Sequence, residues 1–167
     1  MSVAIDMNRL PEGFVRLAAS MPLHGDRDRV AAMLAEAPPW AAGRGAHRAG
    51  RGMRRFSIDL RVRLGGRSSA LTTFGKAAFL DLGGPRRIAT GWEVEVAWQA
   101  TTAAPLFPVF SGWLTVGPEA LRVDGIYAPP GGIIGRVADR MLLHLAANAT
   151  AEWLLAEIDR AALGAAG

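Results

Sequence analysis

Three polar side chains spaced four apart, His144, Asn148 and Glu152, interrupt an otherwise apolar stretch near the C-terminus. At helical spacing they stand one turn apart, which makes His144 and Glu152 candidates for general acid and base, or for groups that orient a ligand. Steps of four drift by about 40° around a helix, so the three cannot all face one way. The plain alternative is that they border the helix and touch solvent. Tyr127 is the third catalytic candidate, a phenol that could steady an enolate, and Arg122 could do the same. On one strand Tyr127 and Arg122 have opposite parity and face opposite sides of a sheet.

Other chemistries fail on residue type or spacing. The chain has no Cys, which removes a disulfide scaffold, a thiolate metal site and a Cys nucleophile. Its three His, His24, His47 and His144, have no metal-ligand spacing, so no metal site is expected. Ser111 lies in Phe110-Ser111-Gly112, not in a nucleophile elbow. Gly45 to Gly50 has the gap of a phosphate loop, but Arg51-Gly52 stand where Lys and Ser or Thr belong. Gly131-Gly132-Ile133-Ile134-Gly135 lacks the first Gly of a dinucleotide fingerprint, and no cofactor is expected. Lys76 reads as a solvated strand residue rather than a Schiff base.

Around these residues lies a chain of 167 residues with half its residues hydrophobic and a fifth charged, a composition that excludes disorder. A net charge of +4 first suggests nucleic acid. However, Lys76 is the only Lys, and the remaining basic residues are all Arg, as GC-rich coding would give. One cluster is real: Arg44, His47, Arg48, Arg51, Arg54 and Arg55 sit in a glycine-laced loop over 38–52 and just beyond it. It reads as a solvated loop first and a phosphate-facing patch second; no aromatic is interleaved with the basic residues until Phe56, and nucleic acid is not the expected partner. The start has neither a basic n-region nor an apolar h-region, so the expectation is a cytoplasmic chain. From Val96 to Pro118 no residue is charged, but the prolines and strand-like ends argue against a membrane span.

The elements follow from periodicity. Residues 13–21 read as a strand. Asp26 caps a helix over about 27–37, with Asp28 in its first turn, and Pro38-Pro39 ends it. Phe56, Ile58, Leu60, Val62 and Leu64 alternate with polar residues in the clearest strand. Strands follow at 70–82, 92–98, 107–116 and 121–127, separated by Gly and Pro turns, which predicts an antiparallel meander. From Ile133 to about Leu163 one long helix is expected. Its apolar stripe is assigned to Ile134, Val137, Ala138, Met141, Leu142, Leu145, Ala149 and Trp153, with Ala147 on the opposite side, His144 and Asn148 at the stripe's edge and Glu152 nearer its middle. One amphipathic helix cannot cover both faces of about six strands. The economical solution is an α+β domain over 1–167, core about 13–163, whose curved antiparallel sheet wraps the C-terminal helix.

This order, the helix Asp26–Leu34 followed by Pro39-Trp40, the join Gly125–Gly132 into Gly135–Asp139, and Thr150 before an apolar helical run resemble the START-like helix-grip (SRPBCC) superfamily. That superfamily includes polyketide cyclase/dehydrase-like, lipid-transfer and birch-pollen-allergen-like proteins. The resemblance covers nearly the whole chain and implies a cavity for an apolar ligand between the sheet and the last helix.

The leading expectation is binding or carriage of a hydrophobic small molecule such as a lipid, a polyketide or an isoprenoid. Trp92, Trp98, Phe110 and Tyr127 would line its site from the sheet. Met141, His144 and Leu145 would line it from the helix. The rival expectations are a cyclase or dehydratase-like enzyme and nucleic-acid binding through Arg44–Arg55. If the strands bearing Trp98 and Trp113 are apolar on both faces, the second face would suit self-association as a homodimer.

Overall fold

Strands form where apolar residues alternate, and both helices end where Pro, Gly or a capping side chain stops them. The computed structural model describes residues 13–41, 47–48, 52–64, 72–101, 109–128 and 137–164. In chain order these form β1 (Val15–Pro22), α1 (Arg27–Glu36), a 3-10 turn (Pro39–Ala41), β2 (His47–Arg48) and β3 (Arg54–Leu64). Then come β4 (Thr72–Leu82), β5 (Arg86–Ile88), β6 (Gly91–Ala100), β7 (Val109–Val116), β8 (Ala120–Ala128) and α2 (Val137–Gly164). The two shortest strands, β2 and β5, are too brief for periodicity to find. Residues 133–136, expected to begin the last helix, lie outside the described residues.

All pairings are antiparallel, in the order β1-β8-β7-β6-β4-β3-β2, with β5 hairpinned onto β6. The meander is as expected, and β1 returns to close beside β8. The fold is therefore α+β, a curved open antiparallel sheet with a short helix after its first strand and a long one at its end.

One sheet face is apolar and buried, with Leu17, Phe56, Leu80, Val96, Leu114 and Val123 among its members. The other is laced by ion pairs. Arg16 meets Asp124 at 2.8 Å, and Arg55 grips Asp81 through two 2.8 Å hydrogen bonds. Arg86 pairs with Glu93 and also lies 4.8 Å above the exposed ring of Trp113. On this outer face Trp113 carries a cation, and Val109, at the start of the same strand, is exposed.

Helix α1 starts where expected: the Asp26 carboxylate accepts from Arg29 N at 2.8 Å. Its other end is capped from outside, because the Arg54 guanidinium donates to the carbonyls of Leu34 and Glu36. A cation on the free carbonyls of a helix C-terminus satisfies them and opposes the dipole. Two members of the basic cluster, Arg54 and Arg55, thus have internal partners. Arg44 and Arg51 lie outside the described residues.

Helix α2 runs back along the sheet and touches mainly β1, β3 and β8, so it spans the middle strands and leans on the margins. Among the residues of α2 whose burial is described, Ala147, Thr150, Ala151, Leu154, Leu155, Ile158, Asp159 and Ala162 are buried. This corrects the expected stripe. Ala147 faces the sheet instead of solvent, Leu145 is 48% exposed, and Glu152 is exposed. The physical reason is that burial on α2 is set by which side meets the distant sheet, and that side carries small Ala147 and Ala151 as well as Leu154, Leu155 and Ile158. Among the described residues, no helix is long and apolar enough to cross a membrane.

The C-terminal half of α2 is latched to the β1–α1 connection. Asp159, 7% exposed, accepts from the His24 backbone N–H at 2.8 Å and lies 2.9 Å from His24 Nδ1. A Cβ on Gly25 would stand 2.5 Å from Ala162 Cβ, so only glycine lets the two segments approach this closely. Burial by itself would raise the Asp159 carboxyl, but hydrogen bonds from His24, with its charge and the Gly25 N–H, outweigh it and hold the group below its ordinary value. A depressed carboxyl stabilises the fold above its unfolded pKa of about 4, and that contribution is lost as pH falls through the folded value. Asp159→Ala should therefore lose about 1–3 kcal/mol in neutral urea unfolding. It should also flatten the acid limb of the stability curve. An unchanged urea midpoint and acid limb would exclude the latch.

Candidate ligand-binding site

The register brings one row of large side chains across the buried face. Phe56 pairs with Leu80, Leu80 with Trp98, Trp98 with Phe110, and Phe110 with Tyr127. Each points inward because period two fixes parity, and all five are buried. Trp98 and Phe110 stack with centroids 3.8 Å apart and planes at 13°.

Two glycines permit this stack. Gly112 and Gly125 face each other across β7 and β8, and a Cβ on either would come 2.7 Å from Phe110 Cζ. The Phe110 ring therefore lies over bare backbone. Any side chain at these positions would lift the ring toward α2. The signal was present in the sequence as two glycines inside apolar strands, but only the pairing gives it meaning.

At the β8 end of the row, Tyr127 Oη lies 3.3 Å from His144 Nδ1, and their rings are tilted at 34°. Tyr127 is 2% exposed, and burial raises its phenol above the ordinary value, so it stays protonated at neutral pH. His144 is exposed. It nonetheless lies on the inward stripe, three residues before Ala147 and seven before Ala151. The pair thus joins a buried phenol to an exposed imidazole.

Trp98, 2% exposed, has an indole N–H with no hydrogen-bond partner. Indole N–H is a donor only, and leaving a buried donor unmet costs about 1–3 kcal/mol. Trp40, on the 3-10 turn, has the other such indole among the described residues, but it is only partly buried and lies off the row.

The remaining expected site residues divide. Trp92 is on the same strand as Trp98 but six residues away, roughly 20 Å along β6. Its indole donates to Asp28 Oδ1 at 2.6 Å and lies 5.1 Å beneath Arg87, at the end covered by α1. Leu145 is turned outward, and Met141 lies outside the residues whose side chains are described. Asn148 is half-buried, Glu152 is on a different face from His144, and Arg122 is exposed on the outer side of β8. His24 is engaged with Asp159 instead. The structure thus brings together Trp98, Phe110, Tyr127 and His144, and no group of acidic or His side chains among the described residues could hold a metal. What the four can do is stack a flat apolar molecule and hydrogen-bond it at a few points.

No protein-family model matches the chain, and no curated protein matches it. Among solved structures it is similar to the di-domain ARO/CYC protein BexL from the BE-7585A biosynthetic pathway, with a TM-score of 0.53 at 12% identity. The match covers 91% of this chain and 51% of that one, so this chain spans about half the neighbour's length. At this identity the likeness is one of fold, the fold family of an aromatase/cyclase.

Because Tyr127 is the only tyrosine, ultraviolet titration of the native protein reports this group alone. The midpoint should lie above that of the urea-unfolded chain, since burial disfavours phenolate. The associated stability is present below the unfolded pKa of about 10 and is lost as pH rises through the folded one. Coincident midpoints would place Tyr127 in water.

Proposed function

We propose that the protein binds a hydrophobic small molecule between the sheet and α2, with a polyketide-like, ring-forming compound as the leading class. The observation that carries this reading is the buried aromatic row ending at the Tyr127–His144 pair. Such a row provides apolar area and flat stacking partners, and burial of the ligand's apolar surface would supply most of the affinity. Polar groups at its edge would fix orientation. The likeness in fold to an ARO/CYC protein supports the ligand class. The long α2 helix, resting on the margins of the sheet rather than its middle, supports the location.

A second reading has its own observation, the 3.3 Å Tyr127–His144 contact. In a cyclase-like reaction the imidazole would take a proton from a carbon beside a carbonyl. The neutral phenol would then hydrogen-bond the enolate oxygen that results. Glu152 is too far around α2 to share this work. Nucleic-acid binding gains no support, since Arg54 and Arg55 are occupied within the fold.

Native mass spectrometry of the purified full chain, followed by solvent extraction, tests the first reading. An apolar molecule that stays with the folded protein and is released on unfolding is the expected result. A protein that retains nothing, and whose tryptophan emission is unmoved by any aromatic probe, would end it. For the second reading, His144→Ala should lower turnover of a poly-β-ketone substrate about 10²-fold or more while leaving its binding nearly intact. Unchanged turnover would leave binding alone.

A further inference from the structure

We propose that Trp98 Nε1–H is the hydrogen-bond donor that selects the ligand, and that the ligand must place an acceptor oxygen against it. This rests on the binding reading above and narrows it from a greasy molecule to an oxygenated ring compound.

The argument begins from an unmet donor. Trp98 is held on both sides: it pairs with Leu80 on β4 and with Phe110 on β7, and stacks on the Phe110 ring. It cannot swing outward to find water without losing that stack. Its N–H has no partner, although the residue is 2% exposed. Buried indoles ordinarily find an acceptor. A purely structural aromatic would be served better by Phe, which fills the position and leaves no polar atom stranded. Trp92 on the same strand shows the ordinary arrangement, its N–H satisfied by Asp28 at 2.6 Å.

The surroundings say what kind of acceptor is missing. Its two partners across the sheet, Leu80 and Phe110, are hydrocarbon, and neither can accept from the indole. A neutral carbonyl or phenolic oxygen on a flat ring fits such a place, since an ionised group would lose far more in leaving water. Tyr127, which ends the row beside His144, lies two strands from Trp98, about 10 Å away across the sheet. The donor therefore reads one specific oxygen, and the Tyr127–His144 pair is free to read or to act on another part of the same molecule. A site built to hydrogen-bond an oxygen rejects the analogue without it, because the buried donor is then left unpaired.

Two probes with one skeleton test this on the full chain: 1-tetralone, which has a carbonyl acceptor and no donor, and tetralin, which has neither. Binding is followed by tryptophan emission and by calorimetry for the wild type, Trp98→Phe and a variant bearing benzothienylalanine at position 98. The last keeps the bicyclic shape and replaces N–H by sulfur. The wild type should favour tetralone by about tenfold, as one neutral hydrogen bond would give. Both variants should lose that preference while still binding tetralin, and the benzothienyl variant should melt no lower than the wild type without ligand. If both probes bind the wild type equally, or if the preference survives in the benzothienyl variant, Trp98 is not the selecting donor, yet the binding reading stands. If neither probe binds the wild type, both readings fall together.

Discussion

Seven strands in one hydrogen-bonded path present a single apolar face, and one helix must keep water from it. A flat sheet of that width would leave most of the face wet. Burial is favourable in proportion to apolar area, at about 25 cal/mol per Å², so the sheet gains by curling until its margins reach the helix. The contacts of α2 with β1, β3 and β8 are the outcome. The middle strands then lie farthest from the helix backbone, and large side chains must reach across. Trp98 and Phe110 stand on β6 and β7, and Ala147 and Ala151 are the small buried residues of the helix.

The two ends of this arrangement differ. At one end α1 rests on β6, β7 and α2, Trp92 is fastened to Asp28, and Asp159 holds the β1–α1 connection. Arg54 ties the C-terminus of α1 to β3. These contacts are charge-assisted and join segments far apart in the chain, so they fix the end of α2 firmly. At the other end the inward stripe reaches His144 while that residue is still exposed. The structure is thus latched at the α1 end, while at the other end the aromatic row meets Tyr127 and an exposed His144.

The chemistry of the site is spare for the same reason. A concave sheet face built by alternation is apolar by construction, so each polar atom on it stands out. Tyr127 has a partner in His144, whereas Trp98 has none. Gly112 and Gly125 show that the backbone was shaped around the Phe110 ring. The fold is similar to that of an ARO/CYC protein.

Local physics determined the elements. Period two in Phe56–Leu64 and Trp92–Trp98, the Asp26 cap, and the Pro and Gly turns were legible because each depends on neighbours a few residues away. They were enough to give the α+β order, the meander, and an inward Trp98, Phe110 and Tyr127. Tertiary structure decided what depends on distant partners. Asp159 meets His24 across 135 residues, and Trp92 and Trp98 go to opposite ends of the fold. Along α2 the sequence offered two faces, one lined by Leu145 and Trp153 and one by Ala147 and Ala151. Hydrophobicity alone favoured the larger residues. The fold buried Ala147 and Ala151 together with Leu154, Leu155 and Ile158 and left Leu145 in water, because the distant sheet decides which side of the helix is covered.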